Sequence, residues 1–273
     1  MIKLTIHPTT ELLLGPLRKE APQSILLSGT SGVGLLTIAR WLAGGTPILL
    51  QPMNVKGEQD ENGTISVESI RQLYEQSRTK PSSKRYVIID NAEAMSHGAQ
   101  GAFLKLLEEP PVMTYFILTS HTPSKLLPTI RSRTQHIAAQ PLTIEQSQLF
   151  IEKAGVQDAT KKTQLLFLAR GLPAELTRLI SDPDYFSMRA NVISEARQLI
   201  TATSYQKARL IYKYRQSRED ALRLIDSAIN IIRYSLTSKP QESAIKQLNA
   251  LLAAREGISR NQNVMLQLGR AVL

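Results

Sequence analysis

Three short runs, residues 24–29 (SILLSG), 85–90 (RYVIID) and 114–120 (TYFILTS), stay largely apolar from end to end. A strand that faces water on one side alternates polar and apolar residues. A run that does not alternate belongs to a strand buried on both faces. Stretches of helical spacing separate these runs, and residues 47–50 (PILL) and 135–139 (QHIAA) are further strand candidates. Strand–helix–strand alternation of this kind predicts a parallel sheet covered on both faces. Helices are expected over residues 35–42, over 67–80 behind a Ser66 cap, from Ser96 to the Pro110-Pro111 pair, and over the short KLLPTIRSR segment.

After Pro141 the strand pattern stops. Amphipathic helices are expected over 143–154, 161–169 and 174–180, and Ser181-Asp182-Pro183-Asp184 reads as a linker. From Phe186 to Leu273 the pattern is helical throughout, with loops expected near Ser204, Arg218, Ser238-Lys239-Pro240 and Gly257. The expected fold class is therefore α/β: a P-loop-type parallel sheet domain over residues 1–140, a small helical domain over 141–183, and an all-α domain over 184–273. No internal repeat is present.

The first strand runs into Gly29-Thr30-Ser31-Gly32-Val33-Gly34 and then a helix. A turn of the form G-x-x-x-x-G-K-[ST] wraps phosphates with backbone N–H groups. In a working loop, lysine neutralises the outer phosphates and the hydroxyl ligates magnesium. Here those two positions are Leu35 and Leu36. The glycines alone are weak evidence, since any tight strand-to-helix turn uses them. Residues 86–90, Tyr86-Val87-Ile88-Ile89-Asp90, add the apolar strand and acid of a Walker B element. The residue beside the acid is Asn91, a neutral amide that cannot serve as a base. Glu93 is the one nearby substitute, set further along the chain. Loss of the lysine, the hydroxyl and the adjacent glutamate together predicts a site that binds ATP weakly or not at all.

Thirty-three lysines and arginines against 23 acids give a net charge of +10, which favours a polyanionic partner. There is no cysteine, so disulfides and cysteine-ligated metal sites are excluded. His7, His97, His121 and His136 are scattered without metal-ligand spacing, and no metal site is expected. The first residues lack a signal-peptide apolar core, and no apolar run is long enough for a bilayer. The expected compartment is the cytoplasm, with no membrane partner.

The stretch GAQGAFLKLLEEPPVMTYFILTSHTPSKLLPTIRSRTQ, residues 98–135, resembles the bacterial replicative clamp-loader family of DNA polymerase III, and within it the delta-prime type of subunit. The resemblance covers most of residues 1–180 in motif order and fades into a helical pattern beyond. It implies an AAA+ domain, a lid and a C-terminal collar. It equates FILTS with the sensor 1 strand, placing Thr119 and Ser120 at that position. It also equates Ser132-Arg133-Thr134 with a Ser-Arg-Cys motif whose cysteine is replaced here. By that implication Arg133 is an arginine finger reaching a neighbouring subunit's ATP site, Ser132 positions its loop, and Arg131 is the competing arginine. The degenerate nucleotide site would comprise Gly29, Gly32, Gly34, Leu35, Leu36, Asp90 and Asn91.

The implied partners are the motor and delta subunits of the loader, the sliding clamp, and primer–template DNA through the assembly. No cofactor is expected. Two departures stand out. The chain lacks the cysteine-ligated zinc module of many relatives, having only a polar loop over residues 55–63. Where active subunits place a sensor 2 arginine, this chain has Ala174, with Arg178 one turn on. Asn263 to Leu268 weakly echoes the end of the collar. Alternatives are a clamp-opening delta-type subunit, for which Leu12-Leu13-Leu14 would be the wedge, and an atypical active ATPase. A stand-alone DNA-binding regulator lacks any helix-turn-helix or zinc-finger pattern. The basic cluster Lys207, Arg209, Lys213 and Arg215 reads either as a polyanion contact or as a solvated helix face.

Overall fold

The structure is a computed structural model that describes residues 5–60, 63–77, 83–238 and 241–272. Parts of four expectations lie outside these residues: the start of the first domain, Glu61 and Asn62 of the polar loop, the helix end at residues 78–80, and Lys239-Pro240. The chain divides into two compact units, residues 1–180 and 181–273.

The first unit is built on β1 (Ser24–Ser28), β2 (Ile48–Leu50), β3 (Arg85–Ile89), β4 (Thr114–Ser120) and β5 (Gln135–Ala138). All pairings are parallel, in the order β2-β3-β4-β1-β5. Successive strand residues point to opposite faces, and the core follows that period of two. Leu26, Val87, Ile89, Phe116 and Leu118 pack one face under α3 (Val67–Ser77), α4 (His97–Glu108) and α5 (Pro128–Ser132). Ile25, Leu27, Ile88, Ile117 and Ile137 pack the other face against α1 (Pro8–Leu14) and α2 (Leu35–Ala43). Each buried strand therefore serves two cores, which is why its sequence does not alternate.

Local caps fix the helices that matter to the site. Ser96 opens α4 by accepting from the Ala99 N–H, 3.2 Å. Ser66 does the same for α3 from Ser69. The helix α1 follows no strong apolar period; Pro8 stands at its first turn and the His7 side chain accepts from the Thr9 N–H. Three helices follow the sheet, α6 (Ile144–Lys153), α7 (Ala159–Ala169) and α8 (Pro173–Ser181). The first carries a capping box between Thr143 and Gln146.

The second unit is all helix: α9 (Pro183–Thr201), α10 (Ser204–Tyr214), α11 (Arg218–Ser238), α12 (Glu242–Ser259) and α13 (Val264–Val272). Its core is continuous, from Ala196 and Leu199 through Leu224, Ile225 and Ile229 to Leu251 and Leu268. Two expectations are corrected here. The boundary between the two units falls at Ser181, where a linker is expected, but the segment is not an open loop: Asp182 accepts from the Tyr185 N–H at 2.9 Å and Pro183 occupies the first helical position. Nor does Gly257 mark a loop. It is buried inside α12, where a Cβ would lie 2.6 Å from Gln262 Oε1 and 2.8 Å from Gln267 Cδ, so glycine is there to admit those two side chains. No helix among the described residues is long and apolar enough to cross a membrane.

Candidate functional site

Parallel strands deliver their C-terminal ends to one edge of the sheet, and ligands of such sheets bind where neighbouring connections diverge. Register places Ser28 beside Ser120 and Ala138, and Ile89 beside Leu118. The residues that follow, Gly29, Asp90, His121 and Ala139, therefore gather at that edge.

The turn Gly29–Gly34 has the backbone of a phosphate loop. Gly32 and Gly34 take φ of +87° and +88°, a region that L side chains enter only with strain, and Gly34 caps α2. The space beside Gly29 is filled. A Cβ on Gly29 would lie 2.8 Å from Val33 Cγ1, 3.0 Å from the Ala139 carbonyl and 3.4 Å from Leu35 Cδ2. Leu35 is 3% exposed and part of the packed core, with Leu36 packed against the same cluster. From the helical region after the sheet, Leu172 lies against Gly32, and the Ala174 N–H donates to the Gly32 carbonyl at 3.1 Å. Gly171 makes this approach possible: its φ is +76° and a Cβ would fall 2.3 Å from the Leu142 carbonyl.

Asp90 is buried and already satisfied. Its Oδ1 accepts from the Thr119 hydroxyl at 2.7 Å and its Oδ2 from Gln51 Nε2 at 3.0 Å. Thr119 Oγ1 in turn accepts from the Asn91 N–H at 3.0 Å, while Asn91 sits in the left-handed region at φ +49°. Ser120 is fully buried, and its hydroxyl accepts from the Thr122 N–H. Glu93 Oε1 receives the N–H groups of His121, 2.7 Å, and Thr122, 3.1 Å; its Oε2 is buried with no hydrogen-bond partner among the described residues. The His121 ring closes the set with Nδ1 2.8 Å from the Gly29 carbonyl.

The arginine loop lies elsewhere on the first unit. Arg133 ends α5 and its side chain is 40% exposed. Its Nη2 is 2.9 Å from Glu108 Oε1 and its Nη1 donates to the Thr129 carbonyl at 3.3 Å. The Ser132 hydroxyl also donates to the Thr129 carbonyl, 3.1 Å. Thr134, at the position of the family's cysteine, is buried and donates to the Ile130 carbonyl. Arg131 is exposed on the short helix, as are Ala174 and Arg178 on α8.

The sequence residues Gly29, Gly32, Gly34, Leu35, Asp90, Asn91, Thr119 and Ser120 thus converge on one sheet edge, while Ser132 and Arg133 form a separate surface group. Four participants were not singled out from the sequence. Gln51 and Leu172 carry no local signal of their role. Glu108 lies inside the LEEPP motif without an assigned role, and His121 was read only as a scattered histidine. Among the described residues no group of metal-ligating side chains occurs.

Comparison with known proteins shows what the chain resembles. Residues 50–143 match the family model described as DNA polymerase III, delta subunit. The chain is similar to subunits of bacterial DNA polymerase III. It is 32% identical over 150 residues to the DNA polymerase III subunit delta-prime of Yersinia pestis, covering 50% of this chain and 42% of that protein. With subunit tau of Escherichia coli K12 it shares 31% identity over 200 residues, covering 65% of this chain and 31% of the relative. The chain thus spans less than half the length of the curated relatives it matches. Among solved structures, a gamma subunit-related protein of DNA polymerase III from Thermotoga maritima has a TM-score of 0.53 at 20% identity, covering 96% of this chain and 97% of that one. A RuvB variant from the same organism gives 0.54 at 15%, covering 95% and 84%. At these identities the structural matches establish the fold alone, a parallel sheet flanked by helices with a helical C-terminal region, and the resemblance to clamp-loader subunits read from the motifs is borne out.

Proposed function

We propose that the chain is a non-catalytic subunit of a DNA polymerase III clamp loader. It serves as a fixed member of the ring, and Arg133 acts in trans on the ATP site of a neighbouring motor subunit. The partners in this reading are the motor and delta subunits, the sliding clamp, and primer–template DNA held by the assembly.

One observation carries the reading: the positions of the lysine and the metal-ligating hydroxyl are leucines packed in or against the core, and the Walker B acid is already bonded within the chain. Leu35 is part of the packed core with Leu36 against the same cluster, and Thr119 with Gln51 takes the Asp90 carboxylate. By contrast, Arg133 stands on the surface, tethered by one carboxylate and one carbonyl. A guanidinium delivered to a γ-phosphate stabilises the charge that spreads over its oxygens, and such a finger contributes roughly a thousandfold or more to turnover.

The test is ATP hydrolysis by the reconstituted loader, stimulated by clamp and primed DNA, with wild-type chain or Arg133→Ala. The expected result is a loss of turnover of about a thousandfold with assembly intact by gel filtration. Arg133→Lys restores little, because an ammonium lacks the planar fork. Unchanged turnover in Arg133→Ala removes the trans role. Tight ATP binding by the isolated chain removes the non-catalytic one.

A delta-type, clamp-opening reading has one observation in its favour: Leu12 and Leu13 on α1 are exposed, while Leu14 is buried. Under that reading Leu12→Ser with Leu13→Ser abolishes clamp binding by the isolated chain, whereas under the first reading the clamp is not bound by this route.

A further inference from the structure

Between Glu195 and Glu219 the chain carries six lysines and arginines and no acid. That stretch contains the whole of α10. Its buried side is Leu210, Ile211 and Tyr214, packed in the helical core. Opposite them, at the i, i+4, i+7 spacing that shares one helix face, stand Tyr205, Arg209 and Tyr212. Tyr205 is 79% exposed and Tyr212 60%. The two rings are about 10 Å apart along the helix axis, at 1.5 Å rise per residue.

The basic residues around these rings divide clearly. Lys213 is paired with Glu195, and Lys207 donates to the Val272 carbonyl. Arg209 makes no ion pair among the described residues. Arg215 is stacked on Tyr212, its guanidinium carbon 3.5 Å from the ring centroid, and is held by an Nη1 bond of 2.7 Å to the Tyr212 carbonyl. The exposed side of α10 offers no aliphatic side chain larger than alanine. A protein hot spot needs an apolar centre that can be desolvated. An acid-free face with two solvent-exposed rings and two guanidinium groups that no carboxylate neutralises instead matches a flexible polyanion that also presents flat π-surfaces.

We propose that this face of α10 binds single-stranded nucleic acid, with bases stacked on Tyr205 and Tyr212 and phosphates neutralised by Arg209 and Arg215. The site lies in the second unit and does not depend on the assignment of Arg133. Stacking requires unpaired bases, so single strands bind in preference to duplex. Phosphate contact makes the affinity fall with salt.

The experiment is fluorescence anisotropy of the full chain with a labelled oligothymidylate, set against a duplex of equal length, over a salt series. Wild type is compared with Tyr205→Ala, Tyr212→Ala, Tyr212→Phe and Arg209→Glu, and with Lys246→Glu, whose lysine pairs with Glu242 on α12. Each alanine variant is expected to weaken single-strand binding roughly 5- to 100-fold, with Tyr212→Phe near wild type. Arg209→Glu lowers the slope of log affinity against log salt by about 0.7 or more. Circular dichroism of each variant guards against misfolding. Absence of single-strand binding at low salt overturns the proposal. So does equal loss in Lys246→Glu, which would mean diffuse charge. Self-association of the chain that the tyrosine variants abolish would assign the face to a second copy and overturn it as well.

Discussion

Arg133 Nη2 and Glu108 Oε1 lie 2.9 Å apart, so the surface arginine of α5 is tied to the last turn of α4. The two side chains are 40% and 50% exposed, and solvent screening holds the worth of such a pair to about 1 kcal/mol or less. Glu108→Gln is therefore expected to leave stability within about 1 kcal/mol of wild type in urea denaturation. If Arg133 acts in trans as proposed, Glu108→Gln is expected not to lower ATP turnover of the reconstituted loader, because the arginine then exchanges Glu108 for a phosphate of higher charge. A fall as deep as that of Arg133→Ala would show that Glu108 itself takes part at the neighbour's site.

Restoring the loop's lysine does not restore its chemistry. Leu35→Lys puts an ammonium where Leu35 packs against Val33 and Ile38, and it is expected to cost at least about 2 kcal/mol. With Leu36→Thr added, the chain still fails to bind magnesium-ATP tightly in calorimetric titration, since Asp90 remains bonded to Thr119 and Gln51. Tight binding by the double variant would mean that the site lacks only two side chains and is otherwise open.

Thr119 joins Asp90 to Asn91, and its removal leaves both ends unpaired. Thr119→Val, nearly equal in volume, is expected to destabilise the chain by about 2–5 kcal/mol, as a buried carboxylate oxygen and a backbone N–H each lose a partner. Thr119→Ser keeps the hydroxyl and recovers most of that loss. Equal melting of the valine and serine variants would show that the methyl packing, and not the hydroxyl, is what counts.

In the second unit, burial and then the hydrogen bond to Glu195 raise the Tyr214 phenol above its ordinary 10.0. The folded state keeps the proton at a pH where the unfolded chain has released it. The resulting stability is complete below pH 10.0 and is lost as pH climbs through the raised folded value. Denaturation curves taken at increasing alkaline pH are expected to show this fall in wild type and a shallower one in Tyr214→Phe. Identical falls would assign the effect to other groups.

Much of this was legible in the sequence, and the limits have physical causes. Residues 114–120 form a strand over the whole predicted run, because a segment buried on both faces has a composition no other element shares. The glycine turn and its missing cation were equally plain, since Leu35 and Leu36 are local substitutions in a local motif. What escaped notice was non-local. Gln51 and Asp90 are 39 residues apart in sequence and His121 and Gly29 are 92 apart; nothing near either member of a pair announces the other. The linker at the unit boundary is a different case: its place was legible and its helical form was not. Asp182-Pro183 is a helix-start signal, and the proline stands in the first turn, where it loses nothing by lacking an N–H. Gly257 failed for a third reason: its role is to make room for Gln262 and Gln267, which spacing alone does not reveal.

The single hydrogen bond from the Ala174 N–H to the Gly32 carbonyl has a mechanical consequence. In a nucleotide-driven machine the small helical domain swings because a ligand comes and goes beneath it. Here the backbone of that domain grips the turn directly, with Leu172 wedged against it. Under the proposed non-catalytic role no ligand is needed to hold the two together. A displacement of the glycine turn is then expected to carry residues 171–174 with it, as through a bracket in which the hinge has been riveted shut.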